Sequence, residues 1–273
     1  MSFIVCNGKT IEEGELSLSL GNRAFRYGDA LFESIRIKEG KPLNLDLHLD
    51  RIKRGIRLLK MNAPSGMDQK TIGEAISGLS PKNQLKEGRA RMVVFRNGNG
   101  LYVPENNDVT YIIETSALYF ETGNDGLKMG IYSETKKPIH LLSNLKTANC
   151  LQYVLAGIYK QEKGLDDCLI LNEKGNIAEA ISSNVFFLKE NSLFTPSGAE
   201  GCVLGVMRQK ILSNPGNYFD DVVECEILPE DLAGFDEAYL SNAVQGVTWV
   251  KSIENHTYGN KALSLLDKVV NSR

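Results

Sequence analysis

Cysteine is sparse and scattered in this chain. Cys6, Cys150, Cys168, Cys202 and Cys225 form no CxxC pair, and their total of five is odd. That pattern argues against a disulfide framework and against a structural zinc site, and favours reduced thiols in a cytoplasm. No metal site is expected. Long apolar runs are missing too. None approaches the ~18 residues of a membrane-crossing helix, so no membrane partner is expected. The opening MSFIVCNGKT lacks a basic stretch and a long apolar core, so no signal peptide is expected. Neither sign of charge dominates, with 31 Lys and Arg against 34 Asp and Glu and a net charge of −3. This balance gives no electrostatic case for nucleic acid or an anionic membrane, while still permitting a small basic pocket for an anionic substrate. Internal repeats and low-complexity tracts are absent.

What is present is ordinary globular material. Of 273 residues, 42% are hydrophobic and 24% charged, enough for a sizeable core in one large domain or two of usual size. The pattern predicts strands over 2–5 and 15–20 around an Asn7-Gly8 turn, and a hairpin from 31–37 and 42–45 around Glu39-Gly40-Lys41. Leu49, Ile52, Ile56 and Leu59 form one apolar stripe of helical period, with Asp46 as the candidate N-cap. A helix over 69–79 and strands over 89–96 and 109–115 complete the first half. The second half reads as a strand near 128–133, a helix over 146–162, strands over 167–171, 184–189 and 192–195, and a helix from Val206. Strands over 219–226, 236–241 and 247–253 and a helix over 261–271 follow. The polar stretch Glu121–Gly126 marks a boundary. The expected organisation is a smaller domain over 1–118, a linker over 119–127 and a larger domain over 128–273 that includes Lys146. The fold class is α/β or α+β, and a cleft between domains is a favoured ligand site.

Four local patterns carry chemistry. Lys146, in Asn144-Leu145-Lys146-Thr147-Ala148-Asn149, opens a predicted helix. A lysine amine can attack a carbonyl when burial or nearby positive charge depresses its pKa, although taken alone Lys146 reads first as a solvated helix lysine. Glu179 stands among apolar and small residues in Ile177–Asn184. There a carboxylate needs a cationic or proton-donating partner, and a protonated pyridine nitrogen is one candidate. Gly201–Arg208 is a glycine-bearing loop entering a helix, where free backbone N–H groups favour a phosphate. Arg51 lies between the stripe residues Leu49 and Ile52, and its guanidinium suits a phosphate or an ordinary salt bridge. Together the four supply an aldehyde-binding amine, two phosphate-binding elements and a pyridinium carboxylate. Those are the groups by which proteins hold and tune pyridoxal 5′-phosphate (PLP).

The joint pattern resembles the fold-type IV PLP enzymes, the class IV aminotransferases. That family contains branched-chain aminotransferases, D-amino acid aminotransferases and 4-amino-4-deoxychorismate lyases. The resemblance covers nearly the whole chain. It runs from Asn22–Asp29 and Leu31-Phe32-Glu33 through His48–Ile52, Lys146 and Glu179–Asn184 to Ser241-Asn242-Ala243. It implies a two-domain fold like that of the D-amino acid aminotransferases, PLP as cofactor, a small amino substrate with a carboxylate, and a homodimer. It implies that Lys146 is the Schiff-base lysine and proton shuttle, that Glu179 pairs with the pyridine nitrogen, and that Arg51 binds the phosphate with help from the N–H groups of Val206 and Met207. Ser183, Asn184 and Asn242 line the cofactor pocket on the same grounds.

Within the family the motifs divide. Asn149 stands three residues after Lys146 and Leu151 five after it, where branched-chain enzymes usually carry Asn at four and Tyr at five. Gly205-Val206-Met207-Arg208-Gln209 and Leu240–Val244 are similar to lyase segments. Arg96–Tyr102 resembles a lyase loop, with Asn97 where Gly is usual, whereas Glu33 is the aminotransferase residue. The leading expectation is 4-amino-4-deoxychorismate lyase, which forms p-aminobenzoate, a folate precursor, and pyruvate. Phe32 and Arg96 are then the candidates to contact the substrate, Arg96 through a carboxylate. The alternatives are an aminotransferase for D-amino acids or branched-chain L-amino acids, and a PLP-binding protein without turnover.

Overall fold

The structure is a computed structural model that describes residues 2–118, 125–215 and 218–271. The chain divides into two compact units, one of Met1–Phe120 with Leu145–Asn149 and one of Glu121–Asn144 with Cys150–Arg273. Most of the expected linker, 119–124, lies outside the described residues.

The first unit contains β1 (Phe3–Cys6), β2 (Lys9–Glu12), α1 (Arg23–Tyr27), β3 (Ala30–Lys38), β4 (Lys41–Pro42), α2 (Leu45–Leu58), α3 (Gln69–Lys82), β5 (Gly88–Arg96) and β6 (Val109–Ala117). Its strands form one antiparallel sheet in the order β2-β1-β6-β5-β3-β4. One face of β3 and β5 alternates inward, which places Ile35, Ile37, Met92 and Val94 in the core. Leu49, Ile52 and Ile56 of α2 and Ile72, Ile76 and Leu79 of α3 join that core, as two amphipathic helices covering one sheet must.

The second unit contains β7 (Leu127–Lys137), α4 (Leu151–Glu162), β8 (Asp167–Asn172), β9 (Ile177–Ala180), β10 (Asn184–Lys189), β11 (Ser192–Pro196), α5 (Val206–Ser213), β12 (Val222–Cys225), β13 (Glu237–Asn242), β14 (Gly246–Ile253), β15 (His256–Thr257) and α6 (Leu263–Asn271). Its sheet is mixed, in the order β12-β11-β10-β13-β14-β7-β8-β9, with β15 paired to β14. The β11–β12, β14–β7 and β7–β8 pairs are parallel. Strands β8, β9 and β10 are buried almost without interruption, as their apolar runs require when both faces are covered.

Three local expectations are corrected. The partner of the first strand is Lys9–Glu12, and 16–20 form no strand. Asn7 and Gly8 both adopt positive φ (47° and 82°), a two-residue turn that pairs Cys6 directly with Lys9. The N-cap of α2 is Asn44, at φ 50°, and Asp46 lies in the first helical turn. The helix expected over 146–162 begins only at Leu151. Strand β4 covers only the far end of β3, at Ile37 and Lys38, which leaves that edge unpaired near Ala30. The segment after Leu145 lies extended there. Phe32 N donates to Lys146 O (3.0 Å), Ala148 N donates to Ala30 O (2.9 Å), and Leu31 bridges Thr147. The Lys146 segment therefore packs with the first unit, whereas the sequence division had placed it in the second domain.

Candidate active site

Lys146 is anchored by its own backbone. Leu145 is buried in the core of the first unit, and the pairing with β3 fixes the next residues. Its Nζ lies 4.4 Å from the centroid of the Phe32 ring, which also carries the Arg91 guanidinium at 4.2 Å. Phe32 and Lys146 are thus brought together. Asn149 donates from Nδ2 to Gly28 O (3.2 Å) and ties the segment to the αL residue that ends α1.

Arg51 and Glu33 form a buried fork. Arg51 Nε and Nη2 donate to Glu33 Oε1 and Oε2 at 2.7 and 2.5 Å, and His48 Nδ1 lies 2.6 Å from Oε2. Burial pushes the Glu33 carboxyl pKa up. The charge and hydrogen bonds of Arg51, joined by those of His48, outweigh it and hold the group at about 2. Two guanidinium nitrogens, Nε and Nη2, thus engage Glu33.

Arg96 stands apart from this cluster. It is buried. Nε donates to Asp29 Oδ2 (2.9 Å), Nη2 to Leu59 O (2.7 Å), and Nη1 to Lys60 O (3.4 Å) and Asn107 Oδ1. Asp29 also accepts from Arg23 Nε at 2.8 Å. The carboxylate that Arg96 meets is therefore Asp29 of its own chain, and pairing with a substrate carboxylate would have to break this network.

In the second unit Glu179 is buried on β9, next to the turn where Ala180 N donates to Ser183 O (2.9 Å). Its Oε2 accepts from Val203 N at 2.8 Å, while Oε1 accepts from Tyr153 OH at 2.7 Å and pairs with Lys137 Nζ. The cation that burial demanded is therefore Lys137, at the end of β7. No sequence pattern selected Lys137 or Tyr153. The residues that follow Val203 enter α5. Gly205 is its N-cap without a side-chain cap, the first turn holds no acidic residue, and the leading N–H groups of Val206 and Met207 have no intrahelical partner. A Cβ on Gly205 would collide with Asn184 Oδ1, so any larger residue there would have to displace the Asn184 side chain. Asn184 Nδ2 holds the same loop through Val203 O (2.8 Å). Ser183 Oγ accepts from Asn242 Nδ2 (2.9 Å), and Asn242 Oδ1 accepts from the N–H groups of Val244 and Gln245. This unit thus brings Glu179, Asn184 and the 203–207 loop together, with Ser183 and Asn242 as a neighbouring pair. Among the described residues no group of three or more His, Cys, Asp or Glu could hold a metal ion.

An amine, a buried carboxylate and an uncapped helix start behind a tight glycine are the equipment of a PLP enzyme. Comparison with known proteins agrees. Residues 30–253 match the family Amino-transferase class IV, and the chain belongs to that family of PLP-dependent enzymes. The aminodeoxychorismate lyase of Bacillus subtilis is 28% identical over 269 residues, covering 95% of this chain and 89% of its own length. The D-alanine aminotransferase of Bacillus licheniformis is 25% identical over 284 residues, covering 98% and 94%. The fold matches that of the branched-chain amino acid aminotransferase from Escherichia coli. That match has a TM-score of 0.87 at 20% identity and covers 98% of this chain and 92% of the other.

Proposed function

We propose that the chain is a 4-amino-4-deoxychorismate lyase, which converts its substrate to p-aminobenzoate and pyruvate. The observation that carries this reading is the Lys146–Asn149 segment. Asn149, three residues after the lysine, anchors to Gly28, and position 151 is an exposed leucine that opens α4. That arrangement departs from the branched-chain pattern. The lyase-like Gly205–Gln209 segment then favours the lyase over the D-amino acid enzymes. When bound, PLP supplies an electron sink for the carbanion beside the substrate nitrogen. The Lys146 amine would hold the cofactor and, once free, would serve as the base that takes the proton from the amine-bearing carbon of the substrate. Glu179 would pair with the pyridine nitrogen, Arg51 and the N–H groups of Val206 and Met207 would hold the phosphate, and Ser183, Asn184 and Asn242 would shape the pocket. Phe32, already against Lys146 Nζ, contacts the substrate. Product analysis tests this. Purified protein with PLP and aminodeoxychorismate should release p-aminobenzoate and pyruvate in equal amounts, and their absence removes the reading.

Glu33 favours a second reading, an aminotransferase for D-amino acids or branched-chain L-amino acids. This reading keeps the same cofactor residues. It predicts keto-acid formation from an amino-acid panel with 2-oxoglutarate or pyruvate, and no amino exchange in that panel would remove it.

The same reading makes the protein a cytoplasmic homodimer. Its support is a stripe on α4 at helical spacing. Leu151, Val154, Leu155 and Ile158 are exposed by 79%, 53%, 45% and 48%, an apolar face of the kind that subunit contacts cover. The five cysteines are free thiols. No helix among the described residues is long and apolar enough to cross a membrane.

A further inference from the structure

The pair that meets Glu179 was not anticipated by any motif, and it changes what that carboxylate can do. Lys137 and Glu179 have side chains only 5% and 4% exposed. Lys137 Nζ also lies 2.8 Å from Tyr153 OH, so ammonium, phenol and carboxylate form a closed triangle within the second unit. With Val203 N on the other oxygen, Glu179 already accepts three donors. A buried ion pair of this kind is a poor stability device. Desolvation of both partners cancels much of the attraction, and an apolar pair of similar volume often serves as well.

We propose that Lys137 and Tyr153 are positioning residues that hold Glu179 in place and partly neutralise the charge it offers to the cofactor's ring nitrogen. The inference rests on the PLP reading above and adds a control on ring protonation. A single cation at Glu179 Oε1 weakens that carboxylate as a partner for a second cation, the protonated pyridine. Tyr153 adds a hydrogen bond without adding charge. Burial first, then the Glu179 charge and hydrogen bond, push its phenol far above the ordinary tyrosine range, so it stays a proton donor. Among the described residues, titratable groups that act on Tyr153 of the triangle include Cys202, ahead of α5, and Cys150, ahead of α4. Burial, against the opposing charge of Arg208, pushes the Cys202 thiol up to about 11, so it carries no charge at neutral pH. Lys137 is therefore the cation in direct contact with Glu179 among the described residues of this unit.

The test reads the ring nitrogen itself. Wild type, Lys137→Met, Lys137→Arg and Tyr153→Phe are reconstituted with PLP labelled with 15N in the ring, and the 15N shift is followed against pH. The wild-type ring should lose its proton at a pH lower than in Lys137→Met by about one unit or more, the usual effect of one nearby charge. Lys137→Arg should keep the wild-type midpoint, and Tyr153→Phe should move it less than Lys137→Met does. Equal midpoints in wild type and Lys137→Met overturn the inference while leaving the PLP reading intact, provided that the visible cofactor band of the wild type is lost in Lys146→Ala. A wild type that takes up no PLP overturns both. Lys137→Met that does not fold is replaced by Lys137→Gln, which removes the charge and keeps a donor. The same upward shift is then required.

Discussion

At the scale of single residues, the decisive feature is how charge is matched in the interior. Glu33 carries Arg51 and His48, and Glu179 carries Lys137 and Tyr153. Each carboxylate is nearly inaccessible, and each would be costly without its partners. For Glu33 the pH dependence follows directly. Its folded value of about 2 lies below the reference 4.5, so its stabilisation is complete above pH 4.5 and is lost as pH falls toward 2. The loss is on the order of 3 kcal/mol. Urea unfolding between pH 3 and 7 should show it as an acid limb, and Glu33→Gln should flatten that limb. The same variant should cost roughly 3–5 kcal/mol at pH 7, because it strands the buried Arg51 charge. Unchanged stability at pH 7 would contradict the fork. The sequence indicated that Glu179 among apolar neighbours needs a cationic or proton-donating partner, with a pyridine nitrogen as one candidate, but no pattern pointed to Lys137 or Tyr153. Lys137 and Tyr153 lie 42 and 26 residues from Glu179, and only the strand and helix they end or occupy bring them together.

At the scale of elements, the sequence was most informative where a single periodic pattern decides the outcome. The stripe of α2 and the alternation of β3 and β5 emerged as expected, because burial of one face leaves little choice. It misled at 15–20 and at 146–150. In the first case turn geometry overrode an alternating pattern, and in the second an unpaired strand edge captured residues that read as a helix start. Loop 201–205 was legible through its glycines, but the steric reason for Gly205 lies in Asn184 on β10. Gly205→Ala should therefore cost about 1–3 kcal/mol by overpacking and weaken PLP uptake. In a double-mutant cycle, adding Asn184→Ala should recover part of the lost stability. Additive penalties in thermal melts would show that the close approach is not the cause.

At the scale of the whole molecule, membership of the class IV aminotransferases was legible because the motifs are spread over nearly the full chain, and residues 30–253 match the family. The substrate was less legible, since lyases and aminotransferases share one set of cofactor groups and this chain resembles both at 28% and 25% identity. Assembly belongs to this scale as well. Sedimentation should give twice the chain mass. Leu151→Glu with Ile158→Glu, seven residues apart on the exposed face of α4, should shift the protein toward monomer. A wild-type monomer would contradict the homodimer.

The central claim is that Lys146 carries the cofactor, and borohydride trapping tests it most directly. Wild-type protein incubated with PLP, reduced and digested should carry the pyridoxyl mass on the peptide containing Lys146. Lys146→Ala should show neither the label nor the visible band nor turnover. A label on another lysine, or turnover retained in Lys146→Ala, would contradict the account.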